Sequence, residues 1–331
     1  MGQREVKDMT RADLHIHSIY SDGSDSVDEL ARKIFGEGLR VFSLTDHDTL
    51  SGIDPLKKAL KAQVTRKEGT ATEKTDNTFT KSNAPAGENA FVGITYGKEY
   101  AYIEGIEFTC QAPDGECHIL GYGFDSRSGG IASTVERAAE LRRKKMAQRL
   151  EHLKDAHGII LTEEELDSLS SQNSAGKPHL AKILVKRGYA RDIGQAINYY
   201  INGAKVVNSR ISTAEAVEAI HSSGGLAVWA HPFGGEGDKP LERKQLLSRL
   251  AHLTELGIDG MECYYSRYAR ERSDYLCETA LQKGLLVSGG SDYHGKNKNI
   301  DIGCLSLEGK KISSDKLTIL GRLLNGFEAE G

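Results

Sequence analysis

Seven short apolar segments, separated by polar loops and helix-like stretches, constrain the fold of this chain more than any other feature. The first, residues 12–17 (ADLHIH), is followed by Ser26 and, three residues later, Glu29, which is the spacing of a helix capping box. The later segments, most of them bounded by glycine or proline, are residues 40–44, 102–108, 118–124, 225–230, 257–263 and 284–288. Strands that alternate with helices are typical of parallel βαβ units, so the pattern predicts an α/β fold with a parallel sheet.

Two stretches depart from this alternation. Residues 61–98 are rich in Thr, Lys and Asn and have almost no apolar periodicity, so we expect an exposed polar insertion there. Residues 129–205 show helical patterns and no convincing strand, which predicts an inserted helical subdomain. We therefore expect a main domain built from residues 11–128 and 206–331, with the helical subdomain between its two parts.

The overall composition argues against several classes of protein. The chain has 43 Lys and Arg residues against 47 Asp and Glu residues, a formal net charge of -4, so a surface that coats duplex DNA is not expected. A mean hydropathy of -0.44 and the lack of an apolar run of about 20 residues argue against a membrane span. No apolar stretch precedes the first strand, so we expect no secretory signal and a cytoplasmic location. The five cysteines, an odd number without a C-x-x-C pair, are expected to be reduced thiols.

Histidine, aspartate and glutamate gather where the predicted strands end or in the loops that follow. His15 and His17 are two residues apart, so on a strand both rings lie on the same face. The carboxyl ends of parallel strands in a barrel meet at one mouth, where such folds place their active sites. A single buried histidine is usually a hydrogen-bonded core residue, but many carboxylates and imidazoles at one mouth would be costly without cations. The pattern therefore predicts a metal site built from nine side chains: His15, His17, Asp22, His47, Glu107, His118, His231, Asp292 and His294.

Six segments resemble, in chain order, the motifs of the PHP (polymerase and histidinol phosphatase) superfamily: DLHIHSIYSDG, SLTDHDT, GIEFT, HILGY, GGLAVWAHP and GGSDYHG. The resemblance extends from about residue 11 to 305 and is closest to the stand-alone phosphoesterases that act on nucleotides and nucleoside bisphosphates. It implies a distorted (β/α)7 barrel with a small helical insertion, holding two or three divalent metal ions. Carried over position by position, it assigns the same nine residues as metal ligands, and it assigns catalysis to the ions that they hold.

The chain departs from the family at a segment that resembles the family's GRPH motif, whose arginine contacts substrate phosphate. Here the motif is GKPH, which places Lys177, a point charge, where the family has a bidentate guanidinium. We expect Lys177 and His179 to bind substrate phosphate, together with Arg143 from the basic run at residues 142–145. Lys296 and Lys298, which follow the last motif, are further candidates for the same role.

The mixed nitrogen and oxygen ligands suit Mn²⁺, Fe²⁺ or Zn²⁺ better than an ion that prefers oxygen alone. Two such ions would share a water, lower its pKa and present it as hydroxide in line with phosphorus, with Glu107 as the bridging carboxylate. Neither the GxSxG elbow of serine hydrolases nor the GxxxxGK[ST] loop of P-loop kinases is present in the sequence. We therefore expect a phosphoric ester hydrolase whose nucleophile is water.

The expected substrate is a small nucleotide-like phosphate ester, either a nucleoside 3',5'-bisphosphate or a nucleoside monophosphate. Two alternatives use the same chemistry, namely hydrolysis of a ribose cyclic phosphate and 5'-3' exonuclease action on short RNA. The near-neutral charge favours small substrates over long RNA. From another class, a non-catalytic, metal-dependent nucleotide-binding module stays open, although a complete ligand set argues against it.

Overall fold

The structure, a computed structural model, describes residues 11–70, 91–97, 100–170, 175–207, 210–235, 240–309 and 312–324. None of the helices in these ranges is long and apolar enough to cross a membrane. The nine strands described all belong to one sheet. They are β1 (Arg11–Ile16), β2 (Leu39–Leu44), β3 (Ile94–Tyr96), β4 (Ala101–Ala112), β5 (Gly115–Tyr122), β6 (Ile211–Ser212), β7 (Leu226–Trp229), β8 (Gly260–Tyr265) and β9 (Leu286–Gly290).

Seven of these strands form a nearly closed barrel in the order β1-β2-β4-β5-β7-β8-β9, while β3 and β6 both pair with β4. A parallel bridge between Ile16 and Tyr293 joins the end of β1 to the segment after β9. The backbone N–H of His17 donates to the carbonyl oxygen of Tyr293 at 2.9 Å, and the N–H of Tyr293 donates to the carbonyl oxygen of His15 at 3.3 Å. The predicted α/β barrel is therefore confirmed.

All seven strands that the sequence predicts are present, but the sheet is not parallel throughout. Strand β5 runs antiparallel to both of its neighbours, β4 and β7. The reason is the connection between β4 and β5, which pair at Ala112 and Gly115 and are joined by Pro113 and Asp114 alone. Two residues can close a hairpin, but they cannot make the crossover that parallel neighbours need. Gly115 has φ 136°, a conformation that glycine adopts far more easily than a residue with a side chain.

The capping box predicted for the first helix is confirmed. The backbone N–H of Ser26 donates to Glu29 Oε2 at 2.8 Å, and the N–H of Glu29 donates to Ser26 Oγ at 3.3 Å. A π-helix, Ala196–Ile201, follows the sixth α-helix directly. The α-helices described are α1 (Val27–Gly36), α2 (Ile53–Thr70), α3 (Gly129–His157), α4 (Glu163–Ser170), α5 (Lys177–Lys186), α6 (Ile193–Gln195), α7 (Thr213–Ser222), α8 (Arg243–Glu255), α9 (Arg270–Gln282) and α10 (Thr318–Leu324).

The predicted polar insertion at residues 61–98 needs correction at both of its ends. Helix α2 continues to Thr70, because the segment is rich in the strong helix formers Ala, Lys, Gln, Arg and Glu and because Val64 packs against the main core. At the C-terminal end of the predicted insertion, Ile94–Tyr96 forms β3, an edge strand antiparallel to β4. Residues 71–90 and 98 of the predicted insertion lie outside the described part of the chain.

The sheet face that carries Glu107 and His118 changes from apolar to polar along the strands. On β4, Ala101 and Ile103 pack in a cluster with α10, and Glu107 follows on the same face because alternate residues of a strand share a face. On β5, which runs the other way, Tyr122 belongs to that cluster and His118 lies on the same face. Apolar packing therefore fills one end of this face, and the polar side chains lie at the other.

The helices between β5 and β6 have a hydrophobic cluster of their own. Helix α3 begins against the main core, where Ile131 and Ala138 pack, and continues into the separate cluster at Met146 and Leu153. Residues of α4, α5 and the π-helix complete this second cluster. A hydrophobic cluster of its own is what an inserted helical subdomain needs. The boundaries predicted for the three segments, residues 11–128, 129–205 and 206–331, stay a prediction.

Candidate metal centre

The carboxylate of Glu107, on β4, lies in the middle of the polar end of the barrel. The side chain is fully buried. The Nε2 atoms of His15 and His17 both lie 3.2 Å from Glu107 Oε2. Three more ring nitrogens are close to the same carboxylate: His47 Nδ1 at 3.1 Å from Oε2, and His118 Nδ1 at 2.8 Å and His231 Nε2 at 3.1 Å from Oε1. Side chains from β1, from β5 and from the loops after β1, β2 and β7 thus meet at one carboxylate.

Asp292 and Asp22 extend this group away from the central carboxylate. Asp292 Oδ1 lies 3.4 Å from His17 Nε2 and 3.3 Å from His294 Nδ1. Asp22 Oδ1 lies 3.0 Å from His294 Nε2, and Asp22 Oδ2 lies 3.8 Å from His47 Nε2. The structure therefore brings all nine predicted ligands together.

The ligand atoms form three overlapping groups, and within each group they lie within 4.8 Å of one another. His17, His47 and Glu107 each belong to two of the groups, whereas His231 contacts Glu107 without belonging to any. The groups are His17, Asp22, His47 and His294; His15, His17, Glu107 and Asp292; and His47, Glu107 and His118. Ligands shared between adjacent groups are what a cluster of neighbouring divalent ions requires.

The side chains at this centre fit metal ions. Four buried ligand atoms have no hydrogen-bond partner among the described residues: His15 Nε2, His17 Nε2, His294 Nε2 and Glu107 Oε2. Buried polar atoms are nearly always hydrogen-bonded, so unpaired atoms that face one another need a different partner. A divalent cation is such a partner, because imidazole nitrogen and carboxylate oxygen are ligands that Mn²⁺, Fe²⁺ and Zn²⁺ accept.

The electrostatics of the centre favour ionised carboxylates. Burial alone would raise the pKa of Glu107, but the surrounding imidazoles, that of His47 first, hold this pKa well below its usual range. Burial likewise opposes ionisation of Asp22, yet His294 and its neighbours hold the pKa of Asp22 well below its usual range. Burial opposes protonation of His118, but Glu107 raises the pKa of that ring to about 10. Protons and metal ions compete for such nitrogens, so a cation bound beside Glu107 would take the place of this proton.

Glu262, on β8, is part of the centre, although it was not predicted from the sequence. Its buried carboxylate lies with Oε1 2.9 Å from His15 Nδ1, while Oε2 accepts the backbone N–H of His231 at 2.8 Å. It therefore orients one ligand ring and fixes the backbone of another ligand. A signal was present, because Glu262 is an acidic residue in an otherwise apolar strand (GMECYY), and acidic residues are seldom fully buried without a partner.

Two further buried aspartates hold the loops that carry the ligands. Asp46 accepts hydrogen bonds from the backbone N–H and the hydroxyl of Ser18 at 2.8 and 2.6 Å, and from the hydroxyl of Ser21 at 2.6 Å. Asp13 accepts from the backbone N–H and the hydroxyl of Ser291 at 2.9 and 2.6 Å. These contacts tie the loop after β1 to the loop after β2, and the loop after β9 to β1.

Backbone strain is concentrated at the same place. Of the described residues other than glycine, those with positive φ are Asp48 (51°), His231 (27°) and Asp292 (56°). Such a conformation costs about 1–3 kcal/mol for a residue with a side chain, so the surrounding contacts must hold it. Asp48 Oδ1 accepts the backbone N–H of Thr109 at 2.9 Å, and Asp292 Oδ2 accepts the hydroxyl of Tyr265 at 2.9 Å.

The predicted phosphate contacts lie in three different environments. Lys177 lines a cleft of about 200 Å³ beside the metal centre, and its Nζ donates to Asn202 Oδ1 at 2.7 Å. His179 Nδ1 accepts the backbone N–H of Gly176 at 3.1 Å, so this nitrogen caps the start of α5. Arg143 is exposed on α3 and lies outside the described lining of the cleft.

The two lysines after the last motif also differ from each other. Lys298 Nζ lies 2.6 Å from Asp292 Oδ2, so it neutralises a predicted metal ligand. Lys296 is exposed, and its backbone N–H donates to Ser24 Oγ at 2.7 Å. Only Lys298 of this pair therefore touches the centre.

Known proteins resemble this chain in sequence along most of its length. The family model of the PHP domain matches residues 13–83. The chain is 28% identical over 285 residues to a 5'-3' exoribonuclease of Haemophilus influenzae, a match that covers 85% of this chain and 89% of that protein. It is also 24% identical to a 3',5'-nucleoside bisphosphate phosphatase of Chromobacterium violaceum, covering 86% of this chain and 88% of that protein.

The fold has a counterpart among solved structures. A crystal structure from Bifidobacterium adolescentis, assigned provisionally to the metal-dependent phosphoesterases, matches with a TM-score of 0.70. The match covers 97% of this chain and 98% of that one, at 23% sequence identity. The two chains therefore share one fold over almost their full lengths.

Proposed function

The chain belongs to the PHP superfamily, and from that premise we propose that it is a metal-dependent phosphoesterase acting on a small nucleotide-like substrate. The observation that carries the proposal is the meeting of nine imidazoles and carboxylates, Glu107 among them, in groups that share ligands. Shared ligands suit ions that act together on one phosphoryl group.

We propose that the nine residues hold two or three divalent ions, with Mn²⁺, Fe²⁺ and Zn²⁺ as the candidates. Such ions supply positive charge for the phosphoryl oxygens and lower the pKa of a water. Glu107, which belongs to two of the ligand groups, is placed to bridge them. Glu262 keeps the His15 ring in orientation, and the hydroxyl of Tyr265 and the ammonium of Lys298 do the same for the Asp292 carboxylate.

The substrate we propose is a nucleoside 3',5'-bisphosphate or a nucleoside monophosphate. The relative from Chromobacterium violaceum is named as a phosphatase for the first of these. Lys177 supports phosphate binding, because it lines the same cleft as three of the proposed metal ligands, Asp22, His47 and His118. A lysine offers a single point charge, so we expect it to add affinity more than to fix orientation.

The second candidate is 5'-3' exonuclease action on short RNA. The likeness to the Haemophilus influenzae exoribonuclease, which extends over most of both chains, favours it. Both candidates use the same metal centre to hydrolyse a phosphate ester. They differ in the bond that is attacked, which is a phosphomonoester in the small substrates and a phosphodiester in RNA.

A substrate panel tests the proposal. Purified protein with Mn²⁺ is incubated with nucleoside 3',5'-bisphosphates, nucleoside monophosphates, ribose cyclic phosphates and short 5'-phosphorylated RNA, and released phosphate and nucleotides are measured. We expect phosphate release from the bisphosphate or the monophosphate. Release of mononucleotides from RNA alone would favour the second candidate. If protein with bound metal hydrolyses nothing in the panel, the proposal is wrong. The remaining interpretation is then the non-catalytic, metal-dependent nucleotide-binding module.

Two ligand variants test the site assignment. His17→Ala and Asp292→Asn each remove a residue that faces the shared ligand groups, so metal content and hydrolysis should be lost together. Asp301→Asn, at an exposed position in the same part of the chain, is the matched control and should keep both. A His17→Ala protein that keeps metal and turnover would contradict the assignment.

A further inference from the structure

Two cysteines meet where helix α9 packs on strand β8. Cys263, on β8, is fully buried, and Cys277, on α9, is partly exposed and packs against the same hydrophobic cluster. Both are free thiols, and the two thiols are hydrogen-bonded to each other. A disulfide forms only between cysteines whose side chains point toward each other at short range, and the hydrogen bond shows that these two do.

Strand β8 is irregular at the first of these cysteines. Glu262 and Tyr264 pair with consecutive residues of β9, so Cys263 between them is the extra residue of a β-bulge. A bulge redirects side chains, and Tyr264 also reaches Cys277 through a side-chain hydrogen bond. The strand pairing is thus interrupted at the residue on which a disulfide would pull.

The two thiols differ in reactivity in the way that a redox pair requires. The hydrogen bond with Cys263, and then that with Tyr264, lowers the pKa of Cys277 to about 7. Burial raises the pKa of Cys263 well above its usual range. The thiolate is the reactive form of cysteine, so an oxidant reaches Cys277 first. A low pKa, exposure and a neighbouring second cysteine are together typical of redox-sensitive thiols.

The other cysteines, all of which the structure describes, lack this combination. Cys110 and Cys117 lie opposite each other on β4 and β5, but both are buried. Cys304 is partly exposed, and its thiol donates to the backbone carbonyl oxygen of Ser306 at 3.3 Å. Exposure and a thiol partner therefore coincide at Cys277.

The position of this pair connects it to the metal centre. Cys263 directly follows Glu262, whose carboxylate lies 2.9 Å from His15 Nδ1 and accepts the backbone N–H of His231 at 2.8 Å. A disulfide brings its sulfur atoms to about 2.05 Å, so it would draw β8 toward α9 at the residue next to Glu262. Hydrogen bonds weaken steeply when their geometry is lost, so the two contacts of Glu262 with the ligands would weaken.

We propose that hydrogen peroxide joins Cys277 to Cys263 in a reversible disulfide, and that this bond weakens metal binding through Glu262. The Cys277 thiolate attacks one peroxide oxygen, breaks the O–O bond and forms a sulfenic acid, while the other oxygen leaves as hydroxide. The Cys263 sulfur then attacks the sulfenic sulfur, and the thiol proton leaves with the hydroxyl group as water. Two thiols lose two electrons, peroxide is reduced to two waters, and a dithiol reductant reverses the change.

Peptide mapping tests the bond. Full-length protein, freed of metal so that no bound ion catalyses oxidation, is treated with hydrogen peroxide, alkylated and digested without reduction, and its peptides are analysed by mass spectrometry. We expect a Cys263–Cys277 cross-link in the wild type and in the control Cys304→Ser, which removes another partly exposed thiol. The cross-link should be absent from Cys277→Ser and should disappear after dithiothreitol.

Isothermal titration with Mn²⁺ tests the coupling. The oxidised wild type should bind Mn²⁺ about tenfold more weakly than the reduced protein, because loss of the contacts that orient metal ligands typically costs at least this much. Dithiothreitol should restore the affinity, and peroxide should change the affinity of Cys277→Ser by less than about twofold. The comparison of reduced and oxidised wild type needs no variant, so it decides the question even if Cys277→Ser does not fold.

Two results would overturn the proposal. One is a peptide map in which Cys277 is only over-oxidised or is joined to a different cysteine. The other is a Cys263–Cys277 disulfide that leaves the affinity for Mn²⁺ unchanged. A failure of the substrate panel affects neither measurement, because neither depends on turnover. If the reduced protein binds no Mn²⁺, the proposed metal centre fails and the coupling fails with it, while the peptide map still decides about the disulfide.

Discussion

Replacing Glu262 by glutamine should weaken metal binding without changing a metal ligand. The carboxylate makes two buried contacts, at 2.9 Å to His15 Nδ1 and at 2.8 Å to the backbone nitrogen of His231. Glutamine has nearly the same volume but one acceptor oxygen, so one contact is lost and an amide N–H faces the group left behind. A hydrogen bond to a charged group contributes about 1.5–3 kcal/mol, or roughly 10- to 150-fold in an equilibrium constant. Since loss of such partners typically costs about 10- to 100-fold in metal affinity, we expect a reduction of that size in Glu262→Gln.

Isothermal titration of Mn²⁺ into metal-free protein measures this affinity directly. Glu255→Gln is the matched control, because it makes the same chemical change at an exposed position on α8. Near-ultraviolet circular dichroism shows whether the core of each variant is intact. A folded Glu262→Gln protein that binds Mn²⁺ as tightly as the wild type would refute the view that Glu262 orients the ligands.

Three further predictions concern other parts of the molecule. Ser26→Ala removes the capping box of α1 and should lower the free energy of unfolding by about 1 kcal/mol in urea; no change would show that the cap contributes nothing. The hydrogen bond to Asp259, at 2.7 Å, raises the pKa of His221, so it stabilises the fold below the unfolded-state pKa of about 6.5 and this contribution is lost as pH rises through the folded-state value. His221→Gln should therefore destabilise the protein more at about pH 5.5 than at about pH 9, and an equal effect at both would contradict this. Lys177→Ala should raise KM for the phosphate ester about tenfold with a smaller effect on kcat, whereas Lys186→Ala, at an exposed position on the same helix, should not; an unchanged KM would mean that phosphate is bound elsewhere.

The strands of the barrel could be predicted from sequence because each is a short apolar run between turn residues, and this signal depends on local burial alone. The two strands that were missed, β3 and β6, are three and two residues long, and each pairs with β4. Runs this short carry too few residues to show alternation. Their assignment depends on hydrogen bonds to a distant partner, which a local pattern does not contain.

The ligands of the centre could be predicted because many imidazoles and carboxylates at strand ends would be costly to bury together without a cation. The residues around them were harder to predict. Four consecutive cations at residues 142–145 cover more than one face of a helix, so composition alone could not separate Arg142 and Lys145, which line the cleft, from Arg143, which does not. Arg149, one helical turn later, lines the same cleft, and its burial is visible only in three dimensions.

The reversal of β5 explains how the centre and the cleft come to share a wall. In a wholly parallel barrel, the start of a strand lies at the end opposite the active-site mouth, and His118 lies near the start of β5. Because the two-residue turn after Ala112 reverses the chain, His118 pairs with Thr109 and lies beside Glu107. Glu116, two residues before His118, lies still closer to the turn and forms an ion pair with Arg210 at the cleft. The turn that breaks the parallel order thus places one residue at the metal ligands and another at the cleft, so both sites depend on the same hairpin.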